Sequence, residues 1–93
     1  MNIDQIDNGA RGYFYAVEDG AEIGRMTYTW AGEAKLIIDH TEVDPALKGK
    51  SVGKELLMAL VHFVRENRVK VVPICPFASA MFRRMEDIRD VLA

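Results

Sequence analysis

The chain of 93 residues is 49% hydrophobic and 28% charged, a balance that is typical of a globular protein and argues against a disordered chain. This length accommodates one domain, so we expect a single domain over residues 1–93. Twelve basic and fourteen acidic residues give a formal net charge of −2, which argues against a protein dedicated to nucleic acid.

Three further features concern the cellular compartment. The longest apolar stretch, residues 56–64, is too short to span a membrane and is interrupted by His62. Residues 1–7 are acidic and lack the apolar segment of a secretory signal. Cys75 is the only cysteine, which excludes an internal disulfide and a cysteine-based zinc site, and two histidines alone do not make a metal site. We therefore expect a cytoplasmic protein that holds no metal and does not bind membranes.

The first half of the chain has the pattern of an antiparallel meander. Residues 9–12 are predicted to form a loop, and residues 13–18 a strand that ends at the hairpin signal Asp19-Gly20. The next strand alternates in polarity, and its apolar face carries Met26, Tyr28 and Trp30.

The third predicted strand covers residues 35–43. Its segment Leu36-Ile37-Ile38 is apolar on both faces, which predicts a central strand covered on both sides. Two-residue alternation places His40 and Glu42 on the same face as Leu36.

The second half changes to a helical period. Apolar residues recur every three or four positions, which predicts a helix over residues 51–66 with Ser51 as N-cap and Asn67 as the stop. A strand over residues 69–75 would end at Pro76. A second helix follows from about residue 78 to Met85, and residues 86–93 either extend it or form another short turn. Strand, helix and strand make a crossover with parallel strands, so the predicted class is mixed α/β.

The segment that precedes the long helix has the features of an anion site. Its glycines allow a ligand to approach the backbone, its lysines add positive charge, and the helix N-terminus presents free N–H groups and the positive end of the dipole. A phosphate or pyrophosphate suits such a site. The other interpretation is a solvated turn whose lysines serve solubility. The residues concerned are Lys48, Gly49, Lys50, Gly53 and Lys54.

The P-loop pattern does not fit this segment, because Gly49-Lys50-Ser51 would need a glycine where Asp44 stands and the chain is too short. The dinucleotide-binding pattern does not fit either, because the glycines are four residues apart. The segment resembles motif A of the GNAT acetyltransferase superfamily, Gln/Arg-x-x-Gly-x-Gly/Ala. Lys48 stands at the Gln/Arg position, Ser51 at the first glycine and Gly53 at the last position. The flanking His40-Thr41-Glu42-Val43 and Cys75-Pro76-Phe77 resemble motifs of the small single-domain branch of this superfamily. The resemblance implies a GNAT-like fold: an antiparallel meander, then a β-α-β crossover with splayed parallel strands and a C-terminal helix.

The resemblance also implies a site for acetyl-coenzyme A between the two parallel strands. The pyrophosphate would lie on the N–H groups of residues 49–54, and the pantetheine arm along the strand edge near Glu42. The N–H of Val43 would polarise the thioester carbonyl as an oxyanion hole does. The implied cofactor-binding residues are Val43, Lys48, Gly49, Lys50, Ser51, Val52, Gly53 and Lys54.

Three residues are candidates for catalysis. Cys75 either takes the acetyl group itself, lines the pocket, or is a core residue, and a nucleophilic role would need a neighbour such as His40. His40 and Glu42 are candidate bases for the incoming amine, and the alternatives are a structural histidine and a solvated carboxylate. Relatives place a tyrosine acid on the second helix, where residues 78–85 offer only Phe82.

We therefore predict an N-acetyltransferase that transfers an acetyl group from acetyl-coenzyme A to an unidentified amine. The acceptor is a protein, a peptide or a small molecule, and the chain is a monomer or a weak homodimer. The alternative is a non-catalytic coenzyme A-binding or protein-interaction module with the same fold. An RNA-binding role for residues 48–54 is disfavoured by the net charge.

Overall fold

The computed structural model describes residues 1–47 and 51–93, which form a five-stranded sheet in the order β1-β2-β3-β4-β5. The first four strands are antiparallel to their neighbours, and β5 pairs with β4 in parallel. This is the predicted mixed α/β architecture, a meander followed by a β-α-β crossover. The strands are β1 (Asn2–Asp7), β2 (Arg11–Glu18), β3 (Ala21–Trp30), β4 (Lys35–Val43) and β5 (Lys70–Pro73).

Two α-helices follow β4 and β5, respectively. The first, α1, spans Val52–Asn67, and the second, α2, spans Pro76–Arg84. Short 3₁₀ segments at Pro45–Leu47 and Glu86–Val91 follow β4 and α2. Neither α1 nor any other helix in the described ranges is long and apolar enough to cross a membrane.

The core lies between one face of the sheet and the helices. By contrast, Tyr13, Thr27 and Ile37 on the other face are only half-buried. The prediction that β4 is covered on both sides is therefore wrong, because the apolar Ile37 has no helix packed over it among the described residues. The buried strand residues are Phe14, Ala16, Met26, Tyr28, Leu36, Ile38 and Val71.

The edge strand β1 was not predicted. Ile3 and Ile6 are three residues apart, so the segment shows no two-residue alternation, and its pairing with β2 is decided by side chains distant in sequence. The Tyr28 hydroxyl on β3 donates to Oδ2 of Asp7 at 2.5 Å, and Nε1 of Trp30 donates to the same oxygen at 2.8 Å. These hydrogen bonds cross β2 and hold the end of β1 in place.

Tyr28 reaches across β2 because Gly12 lies beneath its ring. A Cβ at Gly12 would stand 2.4 Å from the Tyr28 hydroxyl oxygen and 2.7 Å from the carbonyl oxygen of Ile6. Burial and the hydrogen bond to Asp7 raise the pKa of Tyr28 far above its usual 10.0. Burial opposes ionisation of Asp7, but hydrogen bonds from Tyr28, Gly9 and Trp30 outweigh it and lower the pKa of Asp7 below 3.8.

The boundaries around β5 differ from the prediction. The strand ends at Pro73 rather than at residue 75, and Pro76 opens α2 instead of only ending a strand. Proline is favoured in the first helical turn, where its missing N–H costs no hydrogen bond. Cys75 is therefore the N-cap of α2 and not the last residue of a strand.

Candidate functional site

The two parallel strands, β4 and β5, diverge after four paired residues. Their register runs from Lys35 opposite Lys70 to Ile38 opposite Pro73. The carbonyl of Ile38 then accepts from the N–H groups of both Ile74 and Cys75, each at 3.1 Å, and the chain turns into α2. Beyond Ile38, β4 continues for five residues with no pairing to β5, which leaves an open strand edge.

The backbone direction of Val43 follows from its neighbour. The N–H of Asp44 donates to the carbonyl of Ile23 in β3 at 2.9 Å. Because successive residues of a strand direct their N–H groups to opposite edges, the N–H of Val43 is directed toward the open edge. This is the donor that the family resemblance implied for a thioester carbonyl.

A β-bulge in β4 decides which side chains face the helices. His40 pairs with Thr27 and Ile38 with Tyr28, so Asp39 is the additional residue on β4. After the bulge, Thr41 has the orientation that simple alternation would have given His40. The prediction that His40 and Glu42 share the face of Leu36 and Ile38 is therefore wrong. Both lie on the opposite face and are exposed.

A cleft of about 490 Å³ occupies the space between the open edge of β4 and the first turns of α1 and α2. Its lining is mostly apolar, and the polar groups come from Thr41 and from the start of α1. It therefore offers a mostly apolar space that ends at a helix N-terminus. The lining residues are Thr41, Val43, Leu47, Ser51, Val52, Gly53, Lys54, Phe77 and Met81.

Four of the eight predicted cofactor-binding residues belong to the start of α1, and Val43 lies across the cleft from them. Ser51 precedes the helix with φ 63° and ψ 20°, and its side chain makes no capping hydrogen bond. Ser51 occupies the N-cap position as predicted, but its hydroxyl does not cap the helix, because capping requires extended backbone geometry rather than this left-handed one. Lys54 is exposed at the rim of the cleft. The predicted residues Lys48, Gly49 and Lys50 lie outside the described residues.

A second groove, of about 510 Å³, lies on the other side of β4. His40 and Glu42 line it together with Asp44, and Val43 lines both this groove and the cleft. Val43 is thus the residue at which the two spaces meet. We call this second space the β3–β4 groove.

Arg25 forms one wall of the β3–β4 groove. Its guanidinium makes two hydrogen bonds to Glu22, at 2.7 and 3.0 Å, and lies 3.9 Å from the centre of the Tyr13 ring. The hydrogen bonds that Arg25 donates to Glu22 raise the pKa of Arg25, and electrostatic interactions with Glu22, Tyr13 and Glu42 add to the effect. Since Glu22 is already paired, Glu42 and Asp44 give this groove an acidic character.

Cys75 lies apart from both His40 and the β3–β4 groove. Its side chain is 3% exposed, and its Sγ accepts from the N–H of Ala78 at 3.3 Å. The Sγ atom is also 3.3 Å from Oγ1 of Thr41. The expected pairing of Cys75 with His40 is wrong, because the bulge turns His40 to the other face and puts Thr41 beside the thiol.

The sequence interpretation missed Thr41, Leu47, Phe77 and Met81 as cleft residues. Two of these had a signal, since Thr41 and Phe77 stand inside the motifs that carried the resemblance. Met81 follows Phe77 by four positions, which puts both on one face of α2. Leu47 showed no local signal.

The family described as GCN5-related N-acetyl-transferase matches residues 12–91. The chain therefore belongs to this family of acetyltransferases. A comparison with curated proteins found no match.

Solved structures agree with this assignment. A GCN5-like protein from Staphylococcus aureus is 33% identical, with a TM-score of 0.72, and the match covers 99% of this chain and 89% of that one. A ribosomal-protein-alanine N-acetyltransferase from Brucella melitensis has the same TM-score at 20% identity, over 84% of this chain and 62% of that one. An aminoglycoside 6′-N-acetyltransferase complexed with coenzyme A matches at 0.63 and 16% identity, over 71% of this chain and 38% of that one. The last two establish the fold alone.

Proposed function

We propose that this chain binds acetyl-coenzyme A in the cleft and transfers the acetyl group to an amine that enters through the β3–β4 groove. The observation that carries the proposal is the open edge of β4, with the Val43 N–H directed into the space between two helix N-termini. The family assignment supports acyl transfer, and the coenzyme A complex of the aminoglycoside acetyltransferase supports the co-substrate.

The start of α1 suits the phosphate end of the coenzyme. The first four N–H groups of a helix have no intrahelical partner, and the dipole places positive potential there. Residues 51–54 line the cleft at this point, and Lys54 adds a full charge. In the proposal, Lys48, Gly49 and Lys50 contribute to the same phosphate site on the strength of their place in the sequence.

The acyl end would lie near Val43, where the two spaces meet. The Val43 N–H would hydrogen-bond the thioester oxygen and stabilise the charge that develops there. The amine nitrogen attacks the carbonyl carbon from the β3–β4 groove, a C–N bond forms, and the C–S bond breaks. His40 or Glu42 accepts the proton of the amine, and the departing thiolate takes a proton from solvent.

The surroundings of Cys75 favour direct transfer of the acetyl group to the amine over transfer through an acetylated cysteine. The thiol is buried and accepts the hydrogen bond of the Ala78 N–H, so it is a structural cap in this geometry. Cys75→Ser, which keeps a capping acceptor, is therefore expected to retain acetyl transfer. Loss of transfer in a folded Cys75→Ser variant, with a trapped acetyl-cysteine in the wild type, would restore the nucleophile role.

A second candidate is a coenzyme A-binding module without chemistry. The favouring observation is that α2 (Pro76–Arg84) has no tyrosine to serve as the acid that relatives use. Binding without transfer to any amine would support this candidate.

Calorimetric titration with acetyl-coenzyme A tests the binding step. Lys54→Glu places a negative charge beside the phosphate site and is expected to weaken binding by about tenfold. Lys35→Glu is the matched control, because it makes the same charge change at the other end of β4. Equal effects of the two variants would contradict the location of the phosphates, and no binding by the folded wild type would contradict the proposal.

Release of the coenzyme thiol in the presence of an amine panel tests the transfer step. The acidic groove favours cationic acceptors, so the panel includes a polyamine, a lysine peptide and an aminoglycoside. Glu42→Gln and His40→Gln are expected to lower turnover while leaving acetyl-coenzyme A binding unchanged, since both residues lie outside the cleft. A parallel loss of binding would argue against their placement on the acceptor side.

A further inference from the structure

Phe77 is a large apolar side chain that the fold leaves 37% exposed at the mouth of the cleft. We propose that Phe77 is a specificity-determining residue that contacts the pantetheine arm of the coenzyme and does not contact its nucleotide half. This inference rests on the proposed function, because it assumes that the cleft holds coenzyme A.

The ring is held over the first turn of α1. A Cβ at Gly53 would stand 2.7 Å from Cζ of Phe77 and 3.1 and 3.2 Å from the two Cε atoms. The tip of the ring therefore fills the space that a side chain at Gly53 would take. Gly53 is buried beneath it, so a side chain at this position would have to displace the ring.

The start of α2 fixes where this ring stands. Pro76 occupies the first turn, and Cys75 caps the helix through its hydrogen bond from Ala78. The same sulfur contacts Thr41 on the open edge of β4. The Cys75–Thr41 contact thus joins the start of α2 to β4 beside the cleft, together with the hydrogen bonds from Ile74 and Cys75 to Ile38.

The groups around the Phe77 ring are apolar, which suits the pantetheine arm of coenzyme A and not a phosphate. Met81 lies one turn further along the same face of α2, and Val43 and Leu47 line the cleft as well. These groups form an apolar section between the Val43 N–H and the start of α1. The arm is the part of coenzyme A that must pass through this section to join a thioester at Val43 to phosphates at α1.

Calorimetric titration with two probes separates the halves of the coenzyme. Coenzyme A carries the arm, whereas 3′-phospho-ADP is its nucleotide half alone. Phe77→Ala removes most of the apolar contact and is expected to weaken coenzyme A binding by about tenfold, since burying part of an aromatic ring is worth that much. The affinity for 3′-phospho-ADP is expected to stay within about twofold.

Ile74→Ala is the matched control, because Ile74 is a 61% exposed apolar residue three positions away that does not line the cleft. It is expected to leave both affinities unchanged. Equal weakening of both probes by Phe77→Ala, or an equal effect of Ile74→Ala, would overturn the assignment. If the wild type binds 3′-phospho-ADP and coenzyme A equally well, the arm makes no contact and the assignment also fails.

A double-mutant cycle keeps the test independent of a simple loss of ring area. Gly53→Ala is expected to weaken coenzyme A binding by pushing the Phe77 ring outward. Adding Phe77→Leu shortens the side chain so that the new methyl group fits, and the double variant should bind better than the sum of the two single losses predicts. Additive losses would overturn the proposed contact. Absence of coenzyme A binding in the wild type would instead sink the proposed function itself.

Discussion

Among the residues that the structure describes, an aromatic ring lies on a glycine in two places. Tyr28 covers Gly12 where β1, β2 and β3 meet, and Phe77 covers Gly53 where α1 meets α2. The Tyr28 side chain is 1% exposed, and its hydroxyl accepts from Gln5 and donates to Asp7. Phe77 is 37% exposed and lies at the rim of the cleft.

The two contacts differ in how completely the ring is packed. Tyr28 is fully packed and stabilises the fold, whereas the packing of Phe77 is incomplete. The Tyr28 contact satisfies its polar atom and buries its ring, so it contributes to the stability of the fold. The Phe77 contact leaves apolar surface in a cleft, where binding a ligand can still remove it from water. The same pair of residue types thus serves stability in one place and recognition in the other.

Gly12→Ala should have the largest effect on stability, about 3 kcal/mol of lost free energy of unfolding. The new methyl group would meet the Tyr28 ring and the backbone carbonyl of Ile6, neither of which can move without opening the sheet edge. Urea denaturation measures this loss. The matched variant is Gly53→Ala, for which we expect less than about 1 kcal/mol, because the exposed Phe77 ring can swing outward and alanine favours the helix. Equal losses would break the distinction between the two contacts.

Gly24→Ala should cost about 2 kcal/mol, because its Cβ would stand 2.8 Å from Cγ1 of Val52 and 3.3 Å from the carbonyl of Glu42. The first turn of α1 must then move away from β3, which would also deform the cleft. Val52→Ala makes room for the added methyl group. The double variant should therefore be more stable than the sum of the single losses predicts, and strict additivity in denaturation would contradict the contact.

The sequence was sufficient for the parts of the fold that local periodicity controls. Aromatic and β-branched residues before a hairpin signal predicted the interior of β2, and alternation predicted that of β3. The three-to-four residue period placed α1 to within a residue or two of Val52–Asn67. The edge strand β1 was missed, because its partner is chosen by hydrogen bonds from Tyr28 and Trp30 that are more than twenty residues away.

The candidate site was predictable only in outline, for a physical reason. One additional residue in β4, Asp39, turns His40 and Glu42 away from the helices, and nothing in the local pattern marks a bulge at that point. The contact of Cys75 with Thr41 follows from the same bulge. The ring of Phe77 over Gly53 joins two helices 24 positions apart in the chain, so neither residue alone indicates it.

The hydrogen bond between the Tyr28 hydroxyl and Asp7 predicts a pH dependence of stability. The pKa of Tyr28 is raised on folding, so this contribution is present below its usual 10.0 and is lost as the pH rises above it. The pKa of Asp7 is lowered, so its contribution is present above 3.8 and is lost as the pH falls below that value. Tyr28→Phe should cost about 1 kcal/mol at neutral pH and flatten the alkaline limb.

Tyr15→Phe is the control for that measurement. Tyr15 lies on the neighbouring strand β2, is half-buried, and makes no side-chain hydrogen bond in the described part of the chain. Its variant should change neither the neutral stability nor the alkaline limb of a denaturation series. An unchanged alkaline limb in Tyr28→Phe would show that the hydrogen bond to Asp7 does not control the titration.

The smallest expected effect on stability concerns Ser51, which lines the cleft just before α1. Ser51 adopts φ 63°, a left-handed conformation that costs a side chain energy and a glycine almost none, and glycine is the residue at this position of the family motif. Ser51→Gly should therefore raise the free energy of unfolding by about 0.5 kcal/mol, the remainder being lost to the greater freedom of the unfolded chain. Arg68→Gly, at φ 56° beyond the other end of α1, is the matched control and should gain about as much. Because Ser51 makes no capping hydrogen bond, a loss of stability in Ser51→Gly alone would mean that the hydroxyl stabilises the start of the helix. The start of α1 would then be fully stabilised in the absence of a ligand, as the Tyr28 contact is.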